Sequence, residues 1–142
     1  MLDAQARPPL TGGCQCGKVR YEIAGPLRRL FICHCRECQK QSASAFAISA
    51  MFGSAGMRHL TGEVRQWSRR TESGWTLVSS FCPACGSRLW DGDKDQEEEV
   101  CIKGGSLDAP LDLTDAVHIW TCRKLRGVII PDAARQYAKE PE

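Results

Sequence analysis

The stretch Phe81–Trp90, FCPACGSRLW, sets two cysteines three positions apart with a glycine directly behind the second. One thiolate, a reversal of the chain and a second thiolate brought round to the same side make a metal knuckle. Gly86 supplies the backbone freedom that the reversal needs. A closed tetrahedral zinc site takes four ligands, so one knuckle is half a site and the other half must come from elsewhere in the chain.

Upstream, GGCQCG places Cys14 and Cys16 two residues apart. Residues i and i+2 of a strand point to the same side, so CxC alone also fits two buried thiols. Beside a knuckle it gains meaning: Cys14, Cys16, Cys82 and Cys85 complete a four-thiolate site, with 65 residues between Cys16 and Cys82. Such a site staples the fold. The plainer alternative is four reduced thiols without metal.

The third group lies in Phe31–Phe46, FICHCRECQKQSASAF, where Cys33, Cys35 and Cys38 fall within six residues. Three thiolates leave one tetrahedral position open, the feature that separates reactive from structural zinc. Water, a thiol or a carbonyl oxygen held there would be acidified, deprotonated or polarised. Other partitions stay open at this point: Cys101, Cys122 or His34 closing the site, or Cys35 and Cys38 joining Cys82 and Cys85 as paired CxxC motifs. In a CHC strand the His34 side chain points away from its cysteine neighbours, which favours a role in orienting a partner or facing a core.

Nine cysteines in 142 residues is an odd and unusually high number. MLDAQARPPL lacks the apolar core of a secretory signal, and no apolar run reaches bilayer length. A cytoplasmic, reducing setting is therefore expected, where clustered cysteines point to metal or catalysis rather than disulfides. The net charge of +2 is small and its charges are interspersed. With no basic stripe and no aromatics alternating with Lys and Arg, nucleic acid is not expected as a partner, nor is a membrane. The acidic run DGDKDQEEEV reads as a solvated loop between strands.

Length and composition fit one domain. Residues 1–10 read as a loose lead-in, 11–131 as the zinc domain, and 132–142 as a tail with the composition of a short helix (DAARQYAKE). In KVRYEIAG, Val19, Tyr21 and Ile23 alternate with charged residues, the period of a half-buried strand. FAISAMF, EVRQWS, TLVSSF, SRLW, EEVCIKGGSL and AVHIWT also read as short strands between Gly, Pro, Asp and Ser punctuation, and RECQKQSA as a short helix. The fold class is mainly β.

GGCQCGKVRYEI, CHCRECQKQSASAF and FCPACGSRLW, with HIWT near the end, give the chain a close resemblance to the glutathione-dependent formaldehyde-activating enzymes, also called the centromere-protein-V type. The similarity runs from about Gly12 to Trp120, and the order and spacing of all seven clustered cysteines agree. It implies a fold like the mammalian suppressor of Sec four, with short antiparallel strands in packed twisted sheets. It also implies two zinc ions per chain, a structural one on Cys14, Cys16, Cys82 and Cys85 and an active-site one on Cys33, Cys35 and Cys38. Ala43 stands where the family usually has Gly, and Leu125, Arg126 and Gly127 replace a Lys-x-Pro-like turn.

By the same resemblance the expected activity is that of a carbon-sulfur lyase, joining or cleaving an adduct of a thiol such as glutathione with a small aldehyde such as formaldehyde. Three anionic ligands soften the metal and keep a bound thiolate nucleophilic. His34 and Glu37 are the nearest candidates for proton transfer. Arg36 and Lys40 could meet substrate carboxylates, and Ser42, Ser44 and Phe46 are expected to line the pocket. His118, among apolar neighbours, reads as a core histidine. Trp67, Trp75, Trp90 and Trp120 read as core or pocket aromatics. The rival class is a zinc-stabilised binding module without chemistry.

Overall fold

The computed structural model describes residues 9–141. Most of the expected lead-in, 1–8, lies outside them, and Leu10 already opens the first strand. The described residues form ten strands and one α-helix: β1 (Leu10–Gly13), β2 (Arg20–Ile23), β3 (Arg29–Cys33), α1 (Arg36–Ser42), β4 (Ala47–Gly53), β5 (Met57–Thr61), β6 (Arg65–Arg70), β7 (Thr76–Phe81), β8 (Arg88–Asp91), β9 (Glu99–Lys103) and β10 (Val117–Ile119). A three-stranded sheet runs β1-β2-β5 and a seven-stranded sheet β10-β3-β4-β9-β8-β7-β6. All pairings are antiparallel except β10 with β3. The fold is mainly β, as the sequence implies.

Pleating gives the larger sheet two chemically different faces, because successive side chains point to opposite sides and directly paired residues share a side. Ala50, Phe52, Val100, Ile102 and Trp90 face Tyr21, Ile23 and Met57 of the smaller sheet in one buried core. The Tyr21 and Trp90 rings meet edge to face at 5.8 Å, a favoured arrangement of aromatic quadrupoles.

The other face is built by the alternate residues. Register places Phe31 opposite Ser49 and Ser49 opposite Lys103, while Cys101 pairs with Asp91 and Asp91 with Ser79. Cys33 ends β3 on this side. A flat sheet would hold β6 about 24 Å from β3, five strand spacings away. Yet Arg69 of β6 reaches to 3.9 Å from Glu37 on the helix that follows β3. The helix and the coiling of the sheet together close this polar face into a concave surface.

The described residues of the expected tail helix, 132–141, form no helix. From Arg135 to Lys139 the chain lies along the free edge of β10 instead, with His118 N donating to Arg135 O at 2.9 Å and Tyr137 N to His118 O at 2.9 Å. Edge pairing satisfies the otherwise open backbone groups of β10, which outweighs the weak helix propensity of a short exposed segment.

Ala43 caps α1 at φ 50, ψ 42, and its N–H closes onto Gln39 O and Lys40 O. This left-handed conformation is the one that glycine adopts without strain, so the departure from the family's usual Gly is a conformational cost rather than only a change of wall. Ala43→Gly is expected to stabilise the fold by about 1 kcal/mol, read as a higher urea midpoint at unchanged slope; a lower midpoint would show that the Cβ has a role in packing.

Candidate metal centres and the cavity beside them

The seven clustered cysteines fall into two groups, Cys14, Cys16, Cys82 and Cys85 in one and Cys33, Cys35 and Cys38 in the other, with the Sγ atoms of each group within 4.8 Å of one another. Cys101 and Cys122 belong to neither, and His34 joins neither. Of the partitions left open by spacing, the structure selects four plus three.

The first group grows from two loops that each turn on a left-handed glycine: Gly17 at φ 81 after Cys16, and Gly86 at φ 80 after Cys85. Gly86 N donates to Cys82 O at 2.8 Å, and Gln15 N reaches Ser87 Oγ across the two loops at 3.0 Å. Val19 N donates to Cys14 Sγ at 3.2 Å, a contact that favours a thiolate. Sγ separations of 3.5 Å (Cys14 to Cys16) and 3.8 Å (Cys16 to Cys82) match the edge of about 3.8 Å of a tetrahedron with 2.3 Å metal-sulfur bonds. The thiolate donor set and spacing fit a closed metal site joining the β1–β2 turn to the β7–β8 turn.

The second group sits where β3 hands over to α1. Cys35 is the helix N-cap, its Sγ accepting from Cys38 N at 3.3 Å. Hydrogen bonds from the Cys33 and Cys38 thiols, that amide and the nearby Arg69 guanidinium hold Cys35 well below the usual thiol range, while Cys33 is pushed up by the same sharing. Three sulfurs with a prepared thiolate fit a metal held by three protein ligands, and among the described residues no fourth His, Cys, Asp or Glu completes the group.

The turn that carries these cysteines is braced from behind. His34 N donates to Ile119 O at 3.0 Å. The buried Gln39 amide ties His34 O (2.8 Å) to Arg123 O (3.0 Å). The His34 imidazole has no exposed surface and lies 2.9 Å, Nε2 to Nδ1, from His118, with Phe46 against its ring at 5.6 Å. Burial lowers the pKa of both histidines, so at neutral pH one ring donates and the other accepts. His118 is thus a core histidine with a specific partner.

Glu37 is exposed and pairs with Arg69. Arg36 and Lys40 are exposed on α1, Arg36 turning back to the Gln39 side-chain oxygen. Ser42 spends its hydroxyl on Cys38 O at 2.7 Å. Ser42, Ser44 and Phe46 line a cavity of about 870 Å³ between the α1–β4 turn, the β8 start and the loop after β9. The cavity wall includes Cys14 of the first group but none of the three cysteines of the second.

Sequence reasoning missed the charges that connect the two. Lys103 and Arg88 line the cavity and share one carboxylate: Lys103 Nζ lies 3.1 Å from Asp91 Oδ2, and Arg88 donates to Asp91 Oδ1 at 2.8 Å. All three side chains are at most 15% exposed, and Arg88 Nε is buried without a partner. Burial works against the Lys103 ammonium, yet Cys101 and Asp91 keep its pKa raised; its charge also favours the Cys38 thiolate. Two buried cations on one anion leave an excess positive charge between the cavity and the three cysteines. The only hint in the sequence is a lysine closing an apolar strand before Gly104 and Gly105.

A β-rich domain with one group of four cysteines and one of three, each able to hold a metal ion, defines the class of fold. The family model for glutathione-dependent formaldehyde-activating enzymes (GFA) matches residues 9–123. The chain belongs to that family. Its fold is shared by the crystal structure of a Rhodobacter sphaeroides protein, at TM-score 0.59 and 22% identity, over 77% of this chain and 99% of that one. Comparison with curated proteins gives no match.

Two outcomes follow. Cys16→Ser is expected to lose metal and most of the cooperative thermal transition, whereas Cys35→Ser loses one metal equivalent and keeps it; equal damage from both would mean that both centres hold the fold. His118→Gln leaves the buried His34 ring short of its partner and should cost about 1–3 kcal/mol at pH 7.5. The native imidazoles bind protons less readily than the unfolded chain, so their stability contribution is complete above the ordinary value of 6.5 and is lost as pH falls below it. The variant's urea stability should therefore fall less steeply below pH 6.5 than the wild type's; parallel profiles would separate the pair from the titration.

Proposed function

We propose that the protein is a zinc enzyme of carbon-sulfur chemistry that joins a glutathione-like thiol to a small aldehyde such as formaldehyde, or cleaves the adduct. The observation that carries this reading is the group of three convergent sulfurs, Cys33, Cys35 and Cys38, with no fourth ligand in the group among the described residues. Cys14, Cys16, Cys82 and Cys85 would hold a structural zinc and Cys33, Cys35 and Cys38 a reactive one. Zinc bound to those three cysteines supplies a Lewis-acidic position for a thiolate or carbonyl oxygen. No helix of the described residues is long and apolar enough to cross a membrane, and cytoplasmic action on soluble substrates accords with reduced cysteines.

The thiol substrate would lie in the cavity, whose 870 Å³ is of the size that holds small ligands. There a substrate carboxylate becomes the second anion that Arg88 and Lys103 lack, with Ser44 and Phe46 along its body and exposed Arg36 and Lys40 extending the positive rim. Its sulfur points past Lys103 towards the three cysteines. In the forward direction the C–S bond forms, the carbonyl π bond breaks, and the thiol proton ends on the carbonyl oxygen, giving R–S–CH2–OH. Glu37, open to solvent and oriented by Arg69, is the candidate to carry that proton. His34, buried against His118, holds the Cys33–Cys35 turn in place.

Two-dimensional exchange NMR on formaldehyde and glutathione tests this directly. The zinc-loaded protein is expected to accelerate adduct exchange over the spontaneous rate, Cys35→Ser to abolish the acceleration, and glutathione diethyl ester to raise KM roughly ten- to hundredfold, the size of a lost charge-assisted contact. A protein with two zincs and no acceleration would instead be a zinc-stabilised module.

A further inference from the structure

The family match ends at residue 123, but the fold does not. Beyond the turn at Gly127 (φ 90) the chain returns along β10. Trp120 N donates to Lys139 O at 3.1 Å, and both the amide and the hydroxyl of Thr121 donate to Tyr137 O at 3.2 Å. Tyr137 is thereby set into a cluster made by Cys33, Ile119 and Trp120 with Phe31, Val117, Cys35 and Cys38. Every cysteine of the three-sulfur centre is in that cluster, and Tyr137 is its one member from outside the family match.

The segment is latched as well as paired. Trp120 is buried in the left-handed conformation, φ 56, which a bulky residue adopts only when its surroundings impose it. Those surroundings include the segment: the indole Nε1 donates to Glu140 Oε1 at 3.0 Å, and Lys139, with Arg123 from the preceding turn, places its cation 5.9 Å (Arg123, 6.0 Å) from the ring centroid. The tail is thus fixed beside the cluster that contains the cysteines through defined contacts to Trp120 and Thr121 on both backbone and side chains.

We infer that residues 135–140 are a strap forming one wall of the three-cysteine centre, and that Tyr137 is the specificity-determining residue by which it limits the bulk of what reaches the sulfurs. The cationic side of the centre, Arg69 and Lys103, takes the charged thiol; the aromatic side, Phe31, Trp120 and Tyr137, bounds the carbonyl partner and keeps it small. The assignment of thiol and carbonyl rests on the function proposed above, whereas the wall itself does not.

The test therefore uses a readout independent of turnover. Wild type, Tyr137→Phe and Tyr137→Ala, as full chains, are alkylated with iodoacetamide and with a bulky fluorescein maleimide, and labelling rates are mapped to each cysteine by mass spectrometry. In Tyr137→Ala the maleimide-to-iodoacetamide rate ratio at Cys33, Cys35 and Cys38 is expected to rise about tenfold, since access governs thiol reactivity. Tyr137→Phe should match the wild type, and Cys14, Cys16, Cys82 and Cys85 should not change. An unchanged ratio overturns the proposal, as does a parallel rise in both groups, which would mean general loosening. Glu140→Ala, which frees the latch at the surface, keeps the question decidable if Tyr137→Ala does not fold, with a rise of the same direction expected. With adducts of glutathione as substrates, Tyr137→Ala should gain activity on bulky aldehydes relative to formaldehyde. An inactive wild type would sink the proposed function while the labelling ratio still decides the strap.

Discussion

The closure of Cys14 and Cys16 onto Cys82 and Cys85 is the constraint on which the rest of this structure depends. It ties the β1–β2 turn of the smaller sheet to the β7–β8 turn of the larger one across 65 intervening residues. Bringing such distant points together costs an unfolded chain roughly 4 kcal/mol in loop entropy, by the same reckoning used for cross-links. For a fold of short strands and one seven-residue helix, that is a large share of the usual margin of about 5–15 kcal/mol. With the two sheets stapled, the residues between them can alternate, apolar toward the core and mostly polar toward the concave face.

That alternation is what separates stability from chemistry in this molecule. Val100 and Ile102 are buried in the core, while Cys101 and Lys103, one residue along, face the other way. A buried lysine sharing Asp91 with Arg88 makes little sense as a source of stability, since desolvating ions costs more than most pairs recover. It makes sense as a fixed positive field beside a group of three convergent cysteine sulfurs. Such preset charge does not need to reorganise when an anion comes near.

What the sequence revealed, and what it hid, follows the range of the interactions. Gly86, behind its cysteine, marks one loop locally, and ligand arithmetic offers the partition into four and three among others that the structure excludes. Tyr21 and Ile23 announce β2 by period. By contrast β1 carries two glycines and β5 shows one buried residue followed by four exposed ones, so neither has a pattern to read. The His34–His118 contact joins residues 84 apart through the parallel β3–β10 pairing, and no local signal encodes a parallel neighbour. The tail follows the same rule: Ala, Arg and Gln favour a helix in isolation, but an open strand edge draws the segment into pairing with β10.

The two centres consequently differ in what surrounds them. The four-cysteine site is held by its own loops, each complete within a few residues of its thiols, so it can form wherever the two turns meet. The three-cysteine site is held by everything else: β3 and α1 for its ligands, β10 and Gln39 for its backbone, β6 and β9 for its cations, and Tyr137 from beyond the family match for one wall. A closed centre needs only its ligands, because its chemistry ends with coordination. The surroundings of the three-cysteine group are drawn instead from distant segments, among them the one that closes the free edge of β10.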